Sequence, residues 1–371
     1  MTGPRPLQPR PGVLGITPYQ GGESALEGRR DVIKLSSNEG ALGPSPKAVA
    51  AFEAASHNLD RYPDGAATAL RDAIGGRFGL DPARIVCGAG SDEILALLAR
   101  AYAGEGDDVL YSEHGFLIYP IAAQAVGAQP VKVPEIDLRA DVDGFIARAG
   151  NRTRLAYLAN PNNPTGSYLS GDQLRRLRAG LPQGVMLVID SAYAEFVTEE
   201  DYDSGAALVD ETENTIMTRT FSKIFGLGNL RLGWAYGPAH VIDVVNRLRM
   251  PFNVSGAAQA AGIAALADRD HEAAAVAHNT AERGRLSQAL TEAGIFVPPS
   301  AGNFVLARFP GGAPQAQAAD DHLKARGIIV RRLAAYGLPD ALRITIGLTP
   351  EIDAVAAALA EFMALEGAAD G

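Results

Sequence analysis

Six short apolar runs punctuate the middle of the chain: RIVCGAG (84–90), DDVLYSE (107–113), RLAYLAN (154–160), VMLVID (185–190), NTIMTRT (214–220) and RLGWAYG (231–237). None alternates apolar and polar residues cleanly. A strand with one wet face must alternate, so these runs imply strands covered on both faces. The segments between several of them carry helical periodicity. In SDEILALLARAYAG (91–104), Ile94, Leu95, Leu97, Leu98 and Ala101 form one apolar face and Ser91 stands where a cap is expected. Strands alternating with helices predict an α/β fold with a mostly parallel sheet.

The texture changes after about Pro251. Ala-rich helical stretches (255–275 and 281–293) are followed by short strands, NFVLARF, GIIVRRL and ALRITIG, and a closing helix over 351–365. The expected organisation is an arm (1–43) that is no domain of its own and packs on other parts, a large domain (44–252), and a smaller α+β domain (253–371). With 371 residues the chain can bury two cores.

Several function classes are disfavoured. A net charge of −10 argues against nucleic-acid or anionic-membrane partners, which need a clustered basic face. One cysteine, Cys87, excludes an internal disulfide and a cysteine-rich metal site. The six histidines are scattered, and His271 and His278 lack the spacing that puts two ligands on one helix face, so no metal is expected. No apolar run approaches the roughly 20 residues of a membrane span, and no secretory leader is recognisable, so a soluble cytoplasmic protein is expected.

In an open parallel sheet, ligands bind beyond the carboxyl ends of the strands. RIVC is followed there by Gly90, Ser91 and Asp92, RLAYLA by NPNNPTG with Asn163, VMLVI by Asp190 and Tyr193, and TIMTR by Thr220, Ser222 and Lys223. Each group alone has a simpler explanation: a tight turn, a polar loop, a helix cap, a surface lysine. Lys223 is one of only five lysines among 33 basic residues. Together, in this order, the groups describe a pyridoxal-phosphate (PLP) site. A phosphate suits the helix-start N–H groups of Ser91 and Asp92, the hydroxyls of Thr220 and Ser222, and the Arg231 guanidinium. A protonated pyridine nitrogen requires a buried carboxylate, for which Asp190 is the candidate. The ring oxygen requires donors, Asn163 and Tyr193. The aldehyde requires an amine that can lose its proton, which lysine provides and arginine does not.

The motifs SNEGALGPS (37–45), DRYPDG (60–65), GAGSDE, NPNNPTG, DSAYAEF and RTFSK with Arg231 eight residues beyond Lys223 resemble those of the fold-type-I PLP aminotransferases. PYQGG (18–22) and RRLAAYGLPDALRITIG near the end extend the likeness over almost the whole chain, nearest to the histidinol-phosphate aminotransferase subfamily. The resemblance implies a large domain with a mostly parallel seven-stranded sheet and a smaller α+β domain. It also implies ping-pong transfer of an amino group from L-histidinol phosphate to 2-oxoglutarate, in histidine synthesis. Lys223 would then be the Schiff-base lysine and proton carrier, Asp190 the partner of the pyridine nitrogen, and Asn163 and Tyr193 donors to the ring oxygen. Phe116 would cover a ring face. Tyr62 would reach across a homodimer interface, Arg343 would hold the substrate carboxylate, and Tyr19 and Arg331 would contact the far end of the substrate. Adjacent Arg331 and Arg332 point to opposite faces of a strand, so at most one looks into the site.

Rivals remain. Aromatic amino-acid transamination, or decarboxylation of an amino-acid phosphate, would use the same lysine, aspartate and arginine. A nicotinamide dehydrogenase would explain Gly88-x-Gly90, but Glu93 stands where that fingerprint wants glycine. A non-catalytic module would require an interrupted site, and none is visible.

Overall fold

The computed structural model describes residues 7–369. The first six residues of the expected arm and the last two of the chain lie outside the described residues. In chain order the elements are β1 (Ile33–Lys34), α1 (Pro46–Ala55), α2 (Thr68–Phe78), β2 (Ile85–Gly88), α3 (Ser91–Tyr102), β3 (Asp108–Ser112), α4 (Ile118–Ala125) and β4 (Gln129–Val133). The hairpin β5 (Glu135–Ile136) and β6 (Arg139–Ala140) follows, then α5 (Val142–Arg148), β7 (Thr153–Ala159), α6 (Gly171–Gly180), β8 (Met186–Asp190), α7 (Ala206–Glu211), β9 (Thr215–Thr220) and β10 (Gly233–Tyr236). Last come α8 (Ala239–Leu248), α9 (Gly256–Ala267), α10 (Arg269–Glu292), β11 (Phe304–Arg308), α11 (Gly312–Ala325), β12 (Ile328–Ile329), β13 (Arg331–Arg332), β14 (Ala341–Thr345) and α12 (Thr349–Ala369).

A seven-stranded sheet runs in the order β2-β10-β9-β8-β7-β3-β4. β10 is antiparallel to both its neighbours, and the other pairings are parallel. Successive residues of its central strands enter opposite cores, as the period of two requires. Tyr157 and Val188 pack with Ile94 on one face, while Leu158 and Ile189 pack with Leu174 and Leu177 on the other. All six expected runs form strands of this sheet. The seventh, β4, escaped the sequence pattern because it is an edge strand, QPVKV, half exposed and carrying a proline. An edge strand tolerates a missing N–H that a central one would not.

Three local expectations are corrected. The cap of α3 is Gly90, at φ +84°, and Ser91 is the first helical residue with no side-chain capping bond. The continuous helix expected over 255–275 breaks at Asp268, whose carboxylate instead accepts from the Ser45 hydroxyl (2.5 Å) and the Lys47 ammonium (2.9 Å). GIIVRRL is split: β12 pairs with β1 of the N-terminal segment, whereas β13 joins β14 and β11 in a three-stranded sheet. Among the described residues no helix is long and apolar enough to cross a membrane.

One close approach ties the fold to the site. Gly233 of β10 lies opposite Gly88 on one side and Thr220 on the other. A Cβ there would stand 2.3 Å from the Ser91 nitrogen, at the start of α3. Gly233→Ala therefore forces β10 away from that helix start. We expect a loss of about 1–3 kcal/mol, the usual cost of overpacking, read as a lower midpoint in chemical denaturation.

Candidate active site

The parallel strands end at one edge, and the antiparallel β10 begins there. That reversal is why Arg231, just before β10, meets Ser91 and Asp92, just after β2, and Thr220, at the end of β9. The Arg231 Nη1 atom donates to Ser222 Oγ (3.4 Å) and the Gly228 carbonyl (3.1 Å), and Nη2 donates to Asp92 Oδ2 (3.2 Å). Arg231 holds φ +50°, a left-handed conformation unusual for a side-chain-bearing residue and the kind of strain that clusters at functional sites. Gly90 has to be glycine here because its backbone sits at φ +84°, ψ 162°, a region essentially closed to residues that carry a Cβ, and the Arg231 guanidinium packs into the space a Cβ would take. The result is a cup of helix-start N–H groups, two hydroxyls and a guanidinium, half open to solvent.

This cup forms one end of a cavity of about 330 Å³. Asp190 lies buried at its floor, with Oδ2 accepting from the Tyr119 hydroxyl (2.8 Å) and Oδ1 from the Thr218 hydroxyl (3.0 Å). The Lys223 amine donates to the Ser37 carbonyl at 3.2 Å and stands 5.8 Å from the centre of the Tyr193 ring. The Tyr193 hydroxyl accepts from Asn38 Nδ2 at 2.9 Å. At the other end, buried Arg343 donates through Nη1 to Asn163 Oδ1 and through Nη2 to the Ser36 carbonyl (2.8 Å). Its Nε is buried without a partner among the described residues.

Two pKa values are displaced in ways that bear on chemistry. Burial, then the Arg343 guanidinium, lower the Lys223 ammonium to about 8, with Asp92 and Glu39 opposing. Burial raises the Asp190 carboxyl to about 6, against the stabilising hydrogen bonds from Tyr119 and Thr218. Burial likewise raises the Cys87 thiol to about 12, which makes it inert.

The sequence expectations sort as follows. Tyr19, Ser91, Asp92, Phe116, Asn163, Asp190, Tyr193, Thr220, Ser222, Lys223, Arg231, Arg331 and Arg343 all line the one cavity. Phe116 meets Tyr19 and Tyr119 edge-on, with ring centres 6.0 Å apart in each case. Gly90 acts from behind the wall. Tyr62 is not in the cavity of its own chain: it is 83% exposed and stacks on Phe252. Of the arginine pair, Arg331 faces the cavity, while Arg332 turns to Gln317. Sequence reasoning missed Tyr119, Thr218, Asn38 and the Ser36 and Ser37 carbonyls. Thr218 left a signal, since in TIMTRT it shares a sheet face with Thr220, and Asn38 stands within the SNEGALGPS motif. The backbone carbonyls leave none.

The described residues fit a phosphorylated, cationic aromatic cofactor: a phosphate cup, a buried carboxylate whose protein partners are two hydroxyls, and an amine of lowered pKa in one cavity. Fold and site together define a PLP-dependent aminotransferase of fold type I. The model of the family "Aminotransferase class I and II" matches residues 30–359, so the chain belongs to that family. More particularly, it is 57% identical over 363 residues to the histidinol-phosphate aminotransferase of Rhodospirillum centenum, covering 98% of this chain and 99% of that one. The corresponding protein of Rhodospirillum rubrum is also 57% identical, over 97% of this chain and 98% of its own length. A crystal structure of histidinol-phosphate aminotransferase from Sinorhizobium meliloti, in complex with pyridoxal-5′-phosphate, superposes with a TM-score of 0.89 at 31% identity, covering 95% of this chain and 97% of that one.

Only the neutral amine is a nucleophile, so the rate at which Lys223 is acylated by a small anhydride should rise through a midpoint near pH 8, well below the 10.5 of an ordinary lysine. Arg343→Gln removes the second-largest cause of that shift, and the midpoint should move upward. Peptide mass spectrometry across a pH series reads both.

Proposed function

We propose that this protein transfers the amino group of L-histidinol phosphate to 2-oxoglutarate, giving imidazole acetol phosphate and L-glutamate, a step of histidine synthesis. The observation that carries this reading is the union, in one cavity, of a lysine of lowered pKa with two guanidinium groups on neighbouring strands. β13 and β14 are antiparallel, and Arg331 lies directly opposite Arg343. Two like charges so placed repel, and an anionic substrate offsets that repulsion. The named relatives support the same substrate.

The chain's own groups would act as follows. Ser91, Asp92, Thr220, Ser222 and Arg231 would hold the phosphate of PLP, and Asp190, braced by Tyr119 and Thr218, would keep the proton on its pyridine nitrogen. PLP, when bound, supplies a carbonyl that condenses with amines and a ring that draws electron density from the donor Cα. Lys223 Nζ, poised near neutrality, accepts the proton from the donor Cα and in the return half delivers one to the acceptor Cα. Asn163 and Tyr193 would bond the ring oxygen, and Phe116 would exclude water from one ring face. Arg343 and Arg331, with Tyr19, would hold the anionic groups of the substrate.

The test is turnover of L-histidinol phosphate, L-phenylalanine and L-tyrosine side by side with 2-oxoglutarate. The phosphorylated donor should have the highest kcat/KM; preference for an aromatic donor would overturn the substrate assignment. Lys223→Arg keeps the charge but cannot deprotonate, and should cost at least ~10²-fold in kcat. Arg331→Ala should raise KM for the phosphorylated donor; unchanged KM would remove Arg331 from the site.

We also infer a homodimer. Tyr62 stacks on Phe252 with ring centres 4.7 Å apart while 83% and 44% exposed, and Leu59 and Met250, close to them in the chain, are 81% and 67% exposed; large apolar side chains bared together suit an association site. Tyr62 would reach the partner's phosphate cup or lysine from there. Sedimentation should give twice the chain mass at micromolar concentration, and Leu59→Asp with Met250→Asp should give monomers. A wild-type monomer would end this reading.

A further inference from the structure

Residues Tyr19 to Glu23 belong to no helix or strand, yet Tyr19, Gly21 and Gly22 form one wall of the cavity. Side chains from elsewhere hold that wall in place. Arg331 donates from Nη1 to the Gly21 carbonyl (2.5 Å) and from Nη2 to the Gln20 carbonyl (2.7 Å). The Ser36 hydroxyl donates to the Glu23 carbonyl (2.7 Å). Gly22 lies so close to Ser36 that a Cβ would stand 2.8 Å from its carbonyl oxygen. That same carbonyl receives Arg343 Nη2. The two guanidinium groups at the end of the cavity away from Arg231 are thus oriented through this one stretch of backbone, Arg331 directly and Arg343 through Ser36.

The outer end of the stretch is fixed by charge. Lys324 Nζ lies 2.6 Å from Glu23 Oε2 and 3.0 Å from Asp320 Oδ2. Asp320 is 1% exposed, anchored in α11, whereas Glu23 is half exposed. Lys324 thus joins a buried carboxylate of the C-terminal part of the chain to the loose end of the wall, one turn of helix from Asp320.

We propose that the Asp320–Lys324–Glu23 chain of charges is a positioning device for specificity: it holds the wall so that Arg331 and Arg343 point together into the cavity, and so favours donors bearing a phosphate over donors bearing only a carboxylate. Lys324 and Glu23 are positioning residues that touch no substrate. A dianionic phosphate gains from both guanidinium groups held in register. A single carboxylate on an aromatic donor needs only Arg343, which keeps its second bond to Asn163 when the wall loosens. Loosening the anchor therefore penalises the phosphorylated donor more. This inference rests on the reading of Arg331 and Arg343 as the anion site.

The experiment is Glu23→Gln, which leaves the Lys324–Asp320 pair intact, with Lys324→Arg as the conservative control. Two readouts are taken on the PLP-loaded enzyme. Amide hydrogen exchange should quicken at residues 19–23 in Glu23→Gln and stay near wild type in Lys324→Arg. KM for L-histidinol phosphate should rise about tenfold, a scale set by small misplacements of binding groups, while KM for L-phenylalanine and both kcat values stay within about twofold. Unchanged exchange at 19–23 overturns the anchor. So does an equal change in KM for both donors, the signature of a merely structural role. Wild-type enzyme that does not prefer the phosphorylated donor refutes the functional reading instead, and the exchange experiment still decides the anchor.

Discussion

The site depends on keeping an ammonium uncomfortable. Lys223 sits where burial removes water from its charge and Arg343 adds a like charge, and both push toward the neutral amine. The shift from 10.5 to about 8 has a thermodynamic counterpart. Below pH 8 the folded protein carries an ammonium that the unfolded chain would hold more comfortably, a penalty of roughly 3 kcal/mol. The penalty fades as pH rises from 8 toward 10.5, where both states lose the proton. A fold that tolerates this has spent part of its margin on reactivity. The neighbouring features make sense as its consequences: Ser37 gives the amine one acceptor to orient it, and Glu39 and Asp92 keep the shift from going further.

Topology places the counterpart groups. Were β10 parallel like its neighbours, its start would lie at the far end of the sheet, some 15 Å away for a strand of this length. Arg231 would then be nowhere near Ser91. Running antiparallel, β10 starts beside the end of β2 and β9, and the two glycines, Gly88 and Gly233, let the backbones close up there. The phosphate cup is thus a product of strand direction as much as of residue type.

Strand cores and the residues after them were legible in the sequence because both obey simple periodicities. Five of the six continuous apolar runs became interior strands and the sixth, β2, an edge strand that is buried throughout, and Asp190, Thr220 and Lys223 followed as expected. Legibility failed where a contact depends on tertiary neighbours. Pro130 and Lys132 disguised β4, since an edge strand need not look like a core strand. Tyr119 braces Asp190 from α4, and Asn38 reaches Tyr193 from 155 residues away in the chain. No local pattern encodes such pairings. The choice between Arg331 and Arg332 needed the register of β13 on β14, which pairs Arg331 with Arg343 and so gives both the same face.

That register also explains why the anion end and the proton-transfer end cannot be assigned to separate parts of the chain. Arg343 belongs to the C-terminal sheet, yet its Nη1 donates to Asn163 in the loop after β7 of the seven-stranded sheet. Its Nη2 donates to Ser36, in the N-terminal segment. The same guanidinium is the second-largest cause of the lowered pKa of Lys223. One side chain would therefore couple the charge of a bound anion to the amine of Lys223. An anion that neutralises Arg343 weakens its push on Lys223 and lets the amine hold a proton more readily. An anionic donor held there would thus make the neutral amine a stronger base for the Cα proton it has to take. Arginine suits this position because its own charge does not vary with pH, so the coupling follows the ligand alone.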